Sequence, residues 1–248
     1  KSILKAIVEA SGVESGTTVL EIGPGLGTLT AELLESGAIV TAVEFDHELA
    51  INLEKRLGNP KNLTVVEQDI LEYNFTELPA NYTVVANIPY YLTSKLIRVL
   101  SESTNPPITA VLLIQKEVAE RVCAKPGQMS LLSISAQVFF EANLDIVVPA
   151  IFFDPPPKVD SQVLVLKRLA EPKVPTELQK DFFRLVKAGF SERRKKLRSS
   201  LSGGLDIDKN QADKLLAKAK ISPELRAQSL SIKDWESLTK VWLTDFKD

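Results

Sequence analysis

The stretch VLEIGPGLGTLT, residues 19–30, decides how the chain folds. Its apolar opening reads as the end of a buried strand over 17–22. Gly23, Gly25 and Gly27 read as a tight turn, and 29–36 as a helix that starts from it. Glycines in such a place let the backbone pass close to a ligand and leave the helix N-terminus facing it. A purely structural turn would use the same residues, so the stretch takes its meaning from what surrounds it.

Further β-branched runs at 39–44, 62–67, 83–86, 108–114, 136–140 and 162–166 alternate early on with helix-length segments such as 47–57. Alternation of this kind predicts an α/β fold around a mainly parallel sheet. The last two runs are joined by FFDPPPKVDS, with no clear helix, so they are expected to pair antiparallel. After Arg168 the texture changes. LAEPKVPTE reads as a linker with Thr176 as a helix N-cap, and helical patterns follow at 176–188, 192–201, 208–219 and 231–243, with no strand candidate. The expectation is an α/β domain over 1–170 and a small all-helical domain over 171–248.

The chain has 248 residues, 44% of them hydrophobic and 25% charged, which suits a globule with a real core. No apolar run is long enough to span a bilayer and no signal-peptide pattern opens the sequence, so a cytoplasmic protein with no membrane partner is expected. One cysteine, Cys123, allows no internal disulfide. With one histidine, His47, it leaves too few soft ligands for a zinc site, and no metal is expected. The net charge of -2 hides a division: residues 1–168 carry 13 basic and 20 acidic residues, residues 169–248 carry 17 and 12. Between Arg184 and Arg198, RLVKAGFSERRKKLR holds seven basic residues and one acidic. Such a run can be a solvated helix face, or it can meet a polyanion if the rest of the chain has reason to.

The acidic strand ends supply a reason. Glu44 closes the second strand 21 residues after Gly23, where a carboxylate can accept both ribose hydroxyls of a nucleoside. Asp69, in VEQDI with Ile70 beside it, follows the third strand and could accept from an adenine amino group. In an open parallel sheet these ends converge on one crevice. The glycine spacing is Gly-x-Gly-x-Gly and not the Gly-x-Gly-x-x-Gly usual for pyrophosphate dinucleotides. Glu21, just before the turn, would sit badly beside a diphosphate but suits a cationic or zwitterionic ligand. S-adenosylmethionine fits these residues better than NAD.

On the same crevice the fourth strand ends in Asn87-Ile88-Pro89-Tyr90, within TVVANIPYYLTS at 83–94. A planar amine such as adenine N6 is a poor nucleophile because its lone pair is delocalised into the ring. The Asn87 side-chain oxygen and the Ile88 carbonyl, held outward by Pro89, can accept both N6 hydrogens and aim the lone pair at a methyl donor. Tyr90 offers a stacking face. The gain is mostly positioning, and no general base is needed, since the nitrogen becomes acidic once methylated.

EIGPGLGTLT, VEFD, EQDI, NIPYYLTS, FFDPPPKVDSQVLVLKRL and FSERRKKLRSSL together resemble the ribosomal RNA adenine N6,N6-dimethyltransferases, nearest the KsgA type that acts on small-subunit RNA. The likeness runs from about Ile3 to Trp242. It implies a Rossmann-like S-adenosylmethionine-dependent methyltransferase domain followed by the helical one. Cofactor contacts would fall at Glu21, Gly23, Gly25, Gly27, Glu44, Asp69, Ile70 and Asn87. The catalytic set would be Asn87, Ile88, Pro89 and Tyr90, with Phe153 on the other face of the base. RNA would be held by Lys158, Arg193, Arg194, Lys195, Lys196 and Arg198. The implied product is dimethyladenosine at two adjacent adenosines near the 3′ end of 16S rRNA in the 30S subunit, made by a monomer. The family opens with a basic segment carrying a Gln-Asn/His-Phe-Leu motif, and this chain starts beyond it. Two further classes stay open: the related macrolide-resistance methylases acting on 23S rRNA, and a non-catalytic RNA-binding assembly factor that has kept the fold.

Overall fold

A computed structural model describes residues 3–88, 92–153 and 155–246. Pro89, Tyr90 and Tyr91 lie outside the described residues. The chain divides into two compact units, 1–120 with 140–169, and 121–139 with 170–248.

In the first unit, α1 (Ile3–Ser11) precedes β1 (Thr18–Ile22), α2 (Thr28–Glu35), β2 (Ile39–Glu44), α3 (His47–Arg56) and β3 (Leu63–Glu67). Then come β4 (Thr83–Asn87), α4 (Thr93–Glu102), β5 (Thr109–Gln115) and α5 (Lys116–Val122), the last of which crosses into the second unit. That unit contributes α6 (Leu131–Gln137) before the chain returns for β6 (Phe140–Val148) and β7 (Ser161–Arg168). The seven strands form one sheet in the order β3-β2-β1-β4-β5-β7-β6. The first five run parallel, and β7 pairs antiparallel with both β5 and β6. The expected strands at 17–22, 39–44, 62–67, 83–86, 108–114 and 162–166 are present within a residue or two, and 162–166 does pair antiparallel with the strand before it, though that strand is Phe140–Val148 and not 136–140.

Parallel strands buried on both faces need continuous apolar runs, and these strands have them. Val19, Val40, Val85, Val111 and Val163 join Ile7 of α1, Leu29 and Leu33 of α2 and Leu53 of α3 in one cluster. Leu20, Val84, Ala86 and Leu112, which alternate with them and so face the other way, are fully buried too. Asp46 starts α3 by accepting from the Leu49 amide at 3.0 Å.

The run 136–140 is not a strand. Its first two residues finish α6, Val138 and Phe139 are buried in the helical unit, and β6 begins only at Phe140. As an edge strand with a register shift between Leu144 and Val147, β6 is largely exposed and has little apolar pattern to read. The excursion 121–139 is likewise a departure from a boundary placed at 170 alone.

The second unit is helical throughout its described residues: α6, then α7 (Thr176–Phe190), α8 (Leu197–Leu205), α9 (Lys209–Lys218) and α10 (Ile232–Asp245). Thr176 is the first helical residue and not the N-cap, which is Pro175. Capping boxes, Ser130 with Ser133, Asp208 with Gln211 and Ser231 with Asp234, start α6, α9 and α10. Two glycines permit close helix packing. A Cβ on Gly189 would come within 2.3 Å of the Trp235 ring, and one on Gly204 within 2.6 Å of the Ala188 backbone. The helix expected over 192–201 starts only at Leu197, because 191–196 form the turn between α7 and α8. Arg193 to Lys196 therefore do not form a helix face.

Among the described residues no helix is long and apolar enough to cross a membrane, and no three His, Cys, Asp or Glu side chains group as metal ligands.

Candidate active site

The sheet changes its direction of winding between β1 and β4. Ligands of open α/β sheets bind outside the carboxyl ends of the strands at such a point. Ile22 is in register with Val43 on one side and Ala86 on the other, so the next residues, Gly23, Glu44 and Asn87, emerge side by side.

Gly23, Gly25 and Gly27 take left-handed backbone angles, with φ of 65°, 56° and 83°. A Cβ at Gly23 or Gly25 would meet open space, so the backbone there is uncovered. Gly27 has a different reason to be glycine: its Cβ would lie 2.7 Å from Leu53 Cδ1 of α3. The three share a spacing but not a role.

Glu44 is buried, and its carboxylate ties the rim together. Oε2 accepts from the Gly25 amide and Oε1 from the Asp46 amide, both at 3.0 Å. A carboxylate has about four lone-pair sites, so each oxygen keeps one for a hydroxyl. Asp69 Oδ1 accepts from the Leu71 amide at 2.9 Å, which fixes its loop in the same way. A pocket of about 350 Å³ opens between these elements, lined by Gly23, Glu44, Asp69 and Ile70. Phe45, Gln68, Leu71, Leu92 and Lys95 are also in its wall. The size is that of a site for a nucleoside-sized molecule. Phe45 was not anticipated from sequence; its signal was a large apolar residue directly after the strand end, and it is 77% exposed.

Glu21 does not reach this wall. It is 1% exposed, in β1, on the sheet face shared with Val19. Neither of its oxygens makes a hydrogen bond of ordinary geometry, nor does the buried Thr30 hydroxyl. Loss of water pushes its pKa up to about 7, against a partial relief from nearby Thr30 and with a further rise from the charge of Glu44. Gly25, Gly27, Asn87 and Ile88 adjoin the pocket by sequence and register without lining it. Asn87 presents an exposed amide at the end of β4, while Ile88 is buried. Phe153 is half-buried and packs against the sheet core, an anchored ring and not a free one.

In the helical unit, Arg193 shares a pocket of about 170 Å³ with Arg121, Phe190, Gln128 and Gln228. Two of the expected RNA-binding cations are already engaged: Arg198 pairs with Asp213 at 2.9 Å and Lys196 with Glu224. Lys158 is exposed on the β6–β7 loop.

A sheet wound in this order over a left-handed glycine turn is the fold of the S-adenosylmethionine-dependent methyltransferases. Two solved structures that resemble nearly the whole chain are a dimethyladenosine transferase from Plasmodium falciparum and the 23S rRNA methyltransferase ErmE. The first is 28% identical, covers 97% of this chain and 95% of that one, and has a TM-score of 0.81. ErmE is 27% identical, covers 97% of each chain and has a TM-score of 0.76. The ribosomal RNA small subunit methyltransferase A of Clostridium botulinum (strain Okra / Type B1) is 40% identical over 245 residues, 96% of this chain and 88% of that protein. Residues 1–243 match the ribosomal RNA adenine dimethylase family, and the chain belongs to it. It is an rRNA adenine dimethyltransferase.

Proposed function

We propose that the protein dimethylates N6 of two adjacent adenosines near the 3′ end of 16S rRNA, in the small ribosomal subunit, using S-adenosylmethionine. The supporting observation is the cradle itself: open backbone over Gly23 and Gly25, bounded by Glu44 and Asp69, with the Asn87 amide one strand away. Relatives named for the small subunit, at 36–40% identity over nearly the whole chain, favour 16S over 23S rRNA. The protein works in the cytoplasm, as a monomer.

The residues fit the cofactor. Glu44 has acceptor sites left for two ribose hydroxyls, and Asp69 with Ile70 takes the adenine edge beside Phe45. The bare backbone at Gly23 and Gly25 leaves room for the amino acid tail, and the buried carboxyl of Glu21 lies close beneath as a counter-charge for a cation. S-adenosylmethionine, when bound, supplies a methyl group activated by its sulfonium. Asn87 Oδ1 and the Ile88 carbonyl accept the two N6 hydrogens of the target adenosine and turn its lone pair toward that methyl. Tyr90, outside the described residues, and Phe153 flank the base, which must leave its stack to reach them. Arg193, Arg194 and Lys195, which have no ion-pair partner among the described residues, hold the RNA backbone with Lys158, while Lys196 and Arg198 contribute less because each already faces a carboxylate.

Incubating the enzyme with labelled S-adenosylmethionine and either 30S particles or naked 23S RNA tests this. Two adjacent dimethyladenosines in the 30S RNA are expected by mass mapping. Label in the 23S RNA alone would overturn it, and no cofactor binding in calorimetry would favour an assembly factor without catalysis.

A further inference from the structure

Ile151 and Phe152 stand on a single 3-10 turn, Ala150–Phe152, and are 82% and 67% exposed. Scattered exposed apolar residues are ordinary, but two adjacent ones on a braced turn call for a cause. The bracing is specific. The Ala150 amide donates to Asp160 Oδ1 at 2.9 Å, the Phe152 and Phe153 amides close back on Pro149 and Ala150 at 3.1 Å each, and Phe153 packs on the core. The two side chains are thus presented from a fixed backbone. The register also puts them at the reacting edge: Val148 pairs with Ser161, Ser161 with Gln115, Val163 with Leu113 and Leu113 with Asn87. The turn and Asn87 leave the same end of the sheet two to three strand spacings apart, roughly 10–15 Å.

We propose that Ile151 and Phe152 form an apolar wedge that enters the rRNA base stack beside the target adenosine and holds the gap open. This rests on the function proposed above. Drawing a base out of a stack exposes the faces of its neighbours to water, and apolar side chains set between base steps cover such faces. A nucleobase is favoured as occupant because the turn runs straight into Phe153, which flanks the base, and its loop carries exposed Lys158 for the backbone. Ile151 and Phe152 are positioning residues: they touch the neighbours of the reacting base.

The test uses the full-length enzyme with Ile151→Ser and Phe152→Ser together. The substrates are small subunits reassembled with a synthetic 3′ RNA segment, either intact or with an abasic nucleotide next to the adenosine pair, on each side in turn. On intact RNA the variant is expected to lose roughly 10- to 100-fold in single-turnover rate, the range of one base stack. With the neighbouring base removed there is no stack to part, and the variant should come within about threefold of wild type on that RNA. Undiminished rate on intact RNA would overturn the wedge. So would an equal loss on both substrates, which marks plain damage to the loop. A wild-type enzyme inactive on the intact subunit would refute the function the wedge rests on, and the wedge with it.

Discussion

Replacing Glu21 by Gln should remove a distinct pH dependence from the stability of the α/β unit. The carboxyl is 1% exposed and its pKa rises from 4.5 to about 7, mainly because burial removes the water that would solvate its charge. Below pH 4.5 folded and unfolded chains both carry the proton, and the group costs nothing. From there to about 7 the unfolded chain releases it while the folded chain holds on, so stability falls as the pH rises; above 7 the loss is complete. At roughly 1.4 kcal/mol per pH unit the full loss is about 3 kcal/mol, most of which falls between pH 5 and pH 8. Glutamine has the shape of the neutral acid and no proton to lose. Urea unfolding of both proteins at half-unit steps would therefore show the wild type losing about 2–3 kcal/mol more than Glu21→Gln across that range, since all other titrations are common to both. Parallel curves would refute the burial of an uncompensated carboxyl. A cationic ligand over the glycine turn should make Glu21 ionise, so S-adenosylmethionine binding at pH 6.5 should release a proton from the wild type and not from the variant. Calorimetry in two buffers of different ionisation heat reads this directly.

Gly25→Ala should cost about 1–2 kcal/mol of stability through its positive φ alone, because its Cβ meets nothing. Its loss of cofactor affinity should exceed tenfold, since the Gly25 amide holds the Glu44 carboxylate that lines the pocket and the added methyl enters the open space beside it; a loss of less than threefold would place the cofactor elsewhere. Adjacent glycines of α8 should respond with opposite signs in thermal unfolding. Gly203→Ala has open space and gains helix propensity, about 1 kcal/mol, whereas Gly204→Ala forces apart α7 and α8 at Ala188 and loses about 2 kcal/mol. Neutralising Arg193, Arg194 and Lys195 should lower the salt slope of RNA binding by roughly 0.7–0.9 for each phosphate no longer neutralised, and doing so at Lys196 and Arg198 by less. An unchanged slope would return these cations to bulk solvent.

Much of this molecule is written locally. Apolar strands buried on both faces leave runs that cannot be mistaken, and glycines at positive φ mark the turn wherever the rest of the chain goes. Gly23, Glu44, Asp69 and Ile70 could be named because successive strand ends of a parallel sheet must meet at one edge. Elements set by long-range packing could not be placed. The edge strand β6 is half solvated and so has weak periodicity, while Val138 and Phe139 look strand-like because a helical unit far along the chain buries them. The same spacing of three glycines conceals two open positions and one filled by Leu53. Only tertiary structure decided that Glu44 is spent partly on the Gly25 and Asp46 amides, that Arg198 already faces Asp213, and that Glu21 is sealed from water with only Thr30 beside it for relief. Residue type and order fix which groups are available, but burial and partners set what each does, and these come from segments that sequence distance does not relate.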